Sequence, residues 1–161
     1  MAIYHFSIGK ISRTKGRSSV QKMAYICCTM AKDERTNRTF RYLTKQLELV
    51  HTETALPKNA PERWKNPTVL WNDVERSEKK INAKVAFDMD GALPDELTHE
   101  EMIEACRKQA EYMTNTGFCV TWAIHDKNDG NPHVHILATT RPIDKNGNFT
   151  IKEKKVPVVD D

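Results

Sequence analysis

The feature that most constrains the fold of this chain is a pair of alternating segments, joined by a short turn, near its C-terminal end. Residues 119–125 and 133–139 alternate in character, which is the period of a strand with one buried face. The residues N-D-G-N-P at 128–132, between the two segments, are turn formers. The pattern therefore predicts a β-hairpin.

Three of the six histidines lie in this predicted hairpin. His133 and His135 are two residues apart and share a strand face, and a suitable register brings His125 beside them. Three neutral imidazoles on a rigid sheet can bind a divalent metal ion and leave coordination positions open. A lone H-x-H pair is more often surface decoration, and zinc hydrolases also use such pairs. The cluster therefore predicts a metal site but does not name a reaction.

The N-terminal quarter of the chain is strongly basic. Residues 1–45 hold ten Lys or Arg against two Asp or Glu, although the whole chain carries a net charge of only +3. A solvated charged surface is the simplest alternative, but half of these cations are arginines, interleaved with side chains that typically contact phosphates. The segment therefore predicts a face that binds nucleic acid. The predicted contacts are Lys10, Arg13, Lys15, Arg17, Arg35, Arg38 and Arg41, with Tyr42 as a stacking platform.

Length and composition exclude several classes of protein. At 161 residues the chain is long enough for one domain with a substantial core. No segment approaches the roughly 18 apolar residues of a membrane-spanning helix, and early Lys and Arg residues interrupt any signal-peptide core. The four cysteines have no C-x-x-C pair and no framework spacing. We therefore expect reduced thiols and a cytoplasmic location.

Periodicity in the rest of the chain predicts an α+β protein. Segments with the two-residue period of strands are interspersed along the chain with amphipathic segments that carry helix-capping residues. The predicted strands cover 2–9, 46–56 and 83–93, and the predicted helices cover 18–30, 66–80 and 98–117. Each strand has one apolar and one polar face, which predicts an antiparallel sheet with helices packed on one face and an open polar face. Asp88 and Asp90 are predicted to lie on that open face together with the histidines.

Several motifs resemble the MobA/MobL family of plasmid mobilisation relaxases. They are M-A-I-Y-H-F-S-I at the start, S-R-T-K-G-R-S-S-V-Q-K-M-A-Y, A-L-P-K-N-A-P, L-W-N-D-V-E and H-D-K-N-D-G-N-P-H-V-H-I-L. The resemblance runs from about residue 1 to 143. It implies the two-layer fold of the HUH endonucleases, with a five-stranded antiparallel sheet. We therefore expect a relaxase domain over 1–145, and over 146–161 a C-terminal extension or linker toward a longer protein.

The resemblance also implies a reaction. A relaxase nicks single-stranded DNA at a transfer origin, keeps a 5′-phosphotyrosine link, and rejoins the strand in reverse. Tyr25 matches the position of the family's nucleophile, and His125, His133 and His135 match its metal ligands. The implied metal is Mg²⁺ or Mn²⁺, of which Mn²⁺ suits imidazole better. The implied setting is the bacterial cytoplasm, with accessory relaxosome proteins as further partners and an open oligomeric state.

Two further pairs of residues are candidates for supporting this implied reaction. Asp88 and Asp90 align with an acidic pair that is commonly Glu in the family. One carboxylate is expected to orient a ligating imidazole, and the other to take the tyrosine proton or to help bind the metal. Asp126 and Lys127 are candidates for a supporting role around the metal or the phosphate, and a simple turn role is equally compatible with their position.

Three other functions remain open. A rolling-circle replication initiator or a transposase would share the same superfamily and a similar site. A metal-dependent hydrolase of small molecules would use the histidines and dispense with Tyr25. A DNA-binding protein without enzymatic activity would use the histidines only to tie down a turn.

Overall fold

The computed structural model describes residues 5–152, which form seven strands and three α-helices. The strands are β1 (Phe6–Ser12), β2 (Met30–Asp33), β3 (Arg38–Arg41), β4 (Leu49–Ala55), β5 (Lys84–Ala92), β6 (Val120–His125) and β7 (His133–Thr139). The helices are α1 (Ser19–Ile26), α2 (Pro67–Ser77) and α3 (His99–Asn115). No helix among the described residues is long and apolar enough to cross a bilayer.

Five of the strands form one antiparallel sheet in the order β1-β5-β7-β6-β4. β6 and β7 form the predicted hairpin, and His125 lies directly opposite His133. The turn between them needs left-handed backbone at Asn128, with φ of 59°, and at Gly130, with φ of 80°. These are the residue types that adopt this conformation at least cost. The hairpin and its register are therefore confirmed.

Helices cover both faces of the sheet. α3 packs on one face, where it buries Trp122 and Ile124. α1 and α2 pack on the other face, against Ala123 and Leu137. The α+β class and the five-stranded antiparallel sheet are confirmed, but the layers differ from the prediction of helices on one face only. The difference arises because the central strands carry apolar residues on both faces, and both faces must be covered.

Side-chain caps fix where the helices begin. The Ser18 hydroxyl accepts hydrogen bonds from two backbone amides in the first turn of α1. The Asn66 side chain caps α2 in the same way, and Thr98 forms the predicted capping box with Glu101 at the start of α3. α1 ends at Ile26 rather than near residue 30, because Cys28 takes the left-handed conformation with φ of 53°.

The hairpin of β2 and β3 was not predicted. Each of its strands has only four residues, and five of the eight residues are charged or polar, so no alternation stands out in the sequence. The hairpin is held by tertiary contacts to α2. Asn72 Nδ2 donates to the Lys32 carbonyl at 2.9 Å, and its Oδ1 accepts from the Glu34 amide at 2.9 Å.

A buried ion pair fixes the basic turn between β1 and α1. The side chains of Arg13 and Glu75 are 4% and 1% exposed, and Nη2 lies 3.0 Å from Oε1. The guanidinium also donates to the carbonyls of Glu78 and Lys80, while the second oxygen of Glu75 accepts from the Ser19 hydroxyl at 2.6 Å. The prediction that Arg13 contacts DNA is therefore wrong, because its charged group is fully engaged inside the protein.

The cysteines and the C-terminal segment complete the fold. All four cysteines are buried with free thiols, and burial raises the pKa of Cys106 and Cys119 to about 12.

Ile143 and Phe149 form an isolated antiparallel bridge after β7. Most of the predicted C-terminal extension, residues 153–161, lies outside the described residues.

Candidate active site

The three histidines lie together on the sheet face that α1 and α2 partly cover. His125 and His133 are a cross-strand pair, and the ring centroids of His125 and His135 are 4.9 Å apart. Asp90 of β5 lies opposite His135 on its other side. These side chains line a cavity of about 260 Å³, to which Tyr25 also contributes.

The ring nitrogens of the histidines have different partners. His133 Nδ1 donates to the Asn131 carbonyl at 2.7 Å, which leaves Nε2 with a free lone pair. His125 Nε2 donates to the Ile26 carbonyl at 2.6 Å, which leaves Nδ1 as its unprotonated nitrogen. His135 Nδ1 is buried without a hydrogen-bond partner, 3.9 Å from Asp90 Oδ2.

The three histidines and Asp90 have the chemistry to bind a divalent cation, but in the described structure they do not converge on one point. Burial lowers the pKa of His135 to about 4, so this imidazole is neutral at pH 7, the form that binds a metal. His135 Nδ1 and Asp90 Oδ1 are both buried and unpartnered among the described residues. Within residues 5–152, however, no three His, Cys, Asp or Glu side chains take up metal-binding geometry. The histidine metal site therefore remains a prediction.

Tyr25 connects the histidine cavity to a second, basic one. The tyrosine lies in the last turn of α1 and is half-buried. Its ring packs edge-on against Tyr42 at 5.4 Å and against His135 at 6.3 Å between centroids. On its other side Tyr25 lines a cavity of about 410 Å³, whose walls include Lys15 and Arg17.

Two lysines approach the ring of Tyr25. Lys45 Nζ donates to the Tyr25 hydroxyl at 3.4 Å and lies 4.6 Å from the centre of the ring. Lys22 Nζ lies 5.2 Å from the ring centre and 3.4 Å from Asp88 Oδ2. Two ammonium groups therefore lie close to the Tyr25 ring, and that of Lys45 also contacts its hydroxyl.

The structure separates the two aspartates of β5. Asp88 pairs with Lys22 and lines the basic cavity beside Tyr25. Asp90 lies opposite His135 and lines the histidine cavity. Both point to the same sheet face, as their spacing predicted, but each serves a different cavity.

The predicted DNA-binding residues fall into different places. Lys15, Arg17 and Tyr42 line the basic cavity with Tyr25. Lys10 points to the opposite sheet face, where its ammonium lies 5.4 Å from the Phe87 ring centre. It therefore does not line the basic cavity beside Tyr25, because successive residues of β1 alternate between the faces.

The arginines of the β2–β3 hairpin do not line the basic cavity. Arg35 lies beside the buried Glu75, with Nε 3.4 Å from Oε1. Arg38 stacks over the Phe40 ring at 5.0 Å, and Arg41 is exposed at the end of β3. Their predicted contact with DNA stays a prediction for a surface beyond that cavity.

The two residues that follow His125 differ in their surroundings. Asp126 accepts from the Asn128 amide at 2.8 Å and pairs with His99 of α3 at 3.0 Å. The His99 hydrogen bond lowers the pKa of Asp126. These contacts correspond to the turn role, whereas Lys127 lines the histidine cavity.

Sequence reasoning missed Lys22, Lys45 and Asn131 as site residues. Lys22 precedes Tyr25 by three residues on α1, and this spacing places both on one helix face, so it gave a usable signal. Lys45 lies in a separate 3₁₀ segment, Leu43–Glu48, and no local pattern links it to Tyr25. Asn131 orients His133 through its backbone carbonyl, which any residue could supply.

Comparison with known proteins gives consistent matches. The model of the MobA/MobL family matches residues 17–161. The conjugal transfer protein TraA of Agrobacterium fabrum is 40% identical over 99% of this chain, which spans 15% of that protein. The probable mobilization protein MobA of Bifidobacterium longum is 36% identical over 100% of this chain, which spans 29% of that protein.

A solved structure shares the fold. A chain described under "Molecular Basis of Vancomycin Resistance Transfer in Staphylococcus aureus" superposes with a TM-score of 0.88 at 36% identity, over 95% of this chain and 78% of the other. The family model and the sequence matches, which cover nearly all of this chain, agree with this superposition. The chain belongs to the MobA/MobL family.

Proposed function

We propose that this chain is a relaxase domain that nicks and rejoins single-stranded DNA at a plasmid transfer origin. The observation that carries the proposal is the position of Tyr25, between a cavity lined by three histidines and a cavity lined by basic residues. The names of the relatives, conjugal transfer and mobilization proteins, support it. The proposed setting is the bacterial cytoplasm, with accessory proteins as further partners.

The proposed nick is a transesterification. Tyr25 Oη forms a bond to the scissile phosphorus, the bond to the 3′ oxygen breaks, and the 3′ oxygen leaves and takes a proton. Asp88 is the carboxylate in the same cavity that would accept the phenolic proton. Lys45, whose ammonium already contacts Oη, would stabilise the charge on the attacking oxygen. The reverse step restores the strand and frees the tyrosine.

His125, His133 and His135 would hold the divalent cation in this proposal, and Mn²⁺ suits three imidazoles better than Mg²⁺. When bound, the cation supplies positive charge for the non-bridging oxygens of the phosphate. The protein's own contribution is orientation. The Asn131 carbonyl fixes His133, and the carboxylate of Asp90 faces His135 across two neighbouring strands.

The proposal is tested by trapping the covalent product. Labelled single-stranded oligonucleotides that tile the DNA upstream of the gene are incubated with the protein, with Mn²⁺ or with a chelator. We expect one tile to give a protein–DNA band that survives denaturation and that the chelator removes. Binding of a tile without such a band, under conditions that include Mn²⁺ and Mg²⁺ for every tile, would contradict nicking.

The two aspartates are predicted to have separable effects. Asp90→Asn is expected to weaken Mn²⁺ binding by about 10- to 100-fold, because it removes the carboxylate beside His135. Asp88→Asn is expected to leave Mn²⁺ affinity unchanged and to slow adduct formation by about 100-fold or more. Titration calorimetry with Mn²⁺ and a time course of adduct formation measure the two effects. Equal losses of metal affinity in both variants would contradict this division.

A further inference from the structure

A second basic cleft lies at the far end of the sheet from the histidines. It has a volume of about 670 Å³ and is built from parts of the chain that are distant in sequence. The end of β1, the loop after α2, the start of β5 and the segment after β7 all contribute. Its cationic residues are Lys10, Lys79, Lys80, Lys84, Arg141 and Lys152.

Among the residues that the structure describes, most of the positive charge in this cleft has no acidic partner. Glu78 is the carboxylate that lines it, and its side chain is only 5% exposed. Arg141 and Lys152 already pair with that carboxylate, at 2.7 and 3.4 Å. The remaining four lysines are exposed and form no salt bridge with the described residues. Within residues 5–152, these four ammonium groups have no carboxylate partner and can face a ligand.

Further positive charge lies between the cleft and the pocket of Tyr25, the basic cavity that Tyr25, Lys15 and Arg17 line. Ser12, at the end of β1, pairs with Lys84 at the start of β5. The turn that follows Ser12 carries Lys15 and Arg17, which line the pocket of Tyr25. Along β5, Lys84 and Asp90 are about 20 Å apart, a distance that several nucleotides can span. The basic turn after β1 therefore places Lys15 and Arg17 in one cavity and begins beside Lys84 of the other.

We propose that this cleft binds the phosphate backbone of the single DNA strand that extends from the pocket of Tyr25, and so forms a second, sequence-independent DNA contact. The inference rests on the proposed DNA substrate, and it adds a site remote from the chemistry. Lysines serve such contacts as point charges, with affinity that depends on phosphate charge rather than on base identity.

The test measures how affinity depends on DNA length. Oligothymidylates of about 8 and about 20 nucleotides are bound to wild-type protein and to a Lys79→Glu/Lys80→Glu/Lys84→Glu variant, with fluorescence anisotropy as the readout. We expect the variant to bind the long oligonucleotide about 10-fold or more weakly and to bind the short one normally. For the long oligonucleotide, the slope of log affinity against log salt concentration should also become shallower by about two. This follows because three phosphate contacts are lost.

A charge-matched variant separates this site from a general loss of positive charge. Lys58→Glu/Lys65→Glu/Lys108→Glu changes the net charge equally, at exposed positions that line neither the cleft nor the pocket of Tyr25. We expect it to bind both lengths nearly as wild type does. Equal losses at both lengths, an equal loss in this control, or an unchanged affinity for the long oligonucleotide would each overturn the second contact. Because the readout is binding, a failure to nick would leave this result standing.

Discussion

Tyr25→Phe is expected to reduce covalent adduct formation by about 10⁴-fold or more, with little change in affinity for DNA. The substitution removes the oxygen that attacks phosphorus and keeps the ring that packs against Tyr42 and His135. Adduct formation is measured on the tile that reacts with wild-type protein, and affinity is measured on the same oligonucleotide with a chelator present.

Tyr42→Phe is the matched control for this prediction. The Tyr42 ring lies 5.4 Å from the Tyr25 ring, and its hydroxyl accepts a hydrogen bond from Gln21 at 3.3 Å. Because its role is packing and stacking, the variant should still form the adduct. Adduct formation by Tyr25→Phe at a rate near wild type, or its loss in Tyr42→Phe alone, would assign the nucleophile elsewhere.

Glu75→Gln is expected to lower the free energy of unfolding by about 3–5 kcal/mol. The substitution leaves the guanidinium of Arg13 buried without its counter-charge, and it weakens the anchor at the start of α1. This is a large share of the stability of a domain, which is typically about 5–15 kcal/mol. Urea unfolding followed by circular dichroism at 25 °C measures the change.

Glu34→Gln removes the same charge from the surface nearby. Glu34 pairs with Arg76, and both side chains are 60% exposed. An ion pair this exposed contributes about 0–1 kcal/mol, so this variant should unfold almost as wild type does. If the two variants lost equal stability, the Arg13–Glu75 pair would not be the anchor of the basic turn.

The hairpin and the helix starts could be predicted because their signals are local. Alternation over residues 119–125 and 133–139 set the strand faces, and the turn between them limited the register. That register brings His125, His133 and His135 into one cavity, as expected. The capping box at Thr98 and the Asn66 cap are likewise short motifs that act within one turn of helix.

The partners of charged residues could not be predicted, because tertiary packing sets them. Arg13 lies in the same basic run as Lys15 and Arg17, yet its guanidinium is buried against Glu75, which is 62 residues away in the sequence. Ile11 lines the pocket of Tyr25, but the neighbouring Lys10 points to the opposite face, because successive residues of a strand alternate between the faces. Lys45 reaches Tyr25 only because the chain folds back after β3.

The second basic cleft illustrates the same limit. The basic run in residues 1–45 predicts DNA contacts within that segment, whereas this cleft takes most of its cations from residues 79–84, 141 and 152. Those segments are unremarkable in sequence, because acidic residues such as Glu75 and Glu78 lie close by. Burial and pairing of those carboxylates leave the lysines uncompensated at the surface.

The most direct test of the central claim is to identify the residue that carries DNA after reaction. The adduct from the reactive tile is digested with nuclease and protease, and the modified peptide is sequenced by mass spectrometry. We predict a single nucleotide-bearing peptide, with the 5′-phosphate linked to the oxygen of Tyr25. A modification on any other residue, or a nicked product with no covalent link to the protein, would contradict the proposed mechanism.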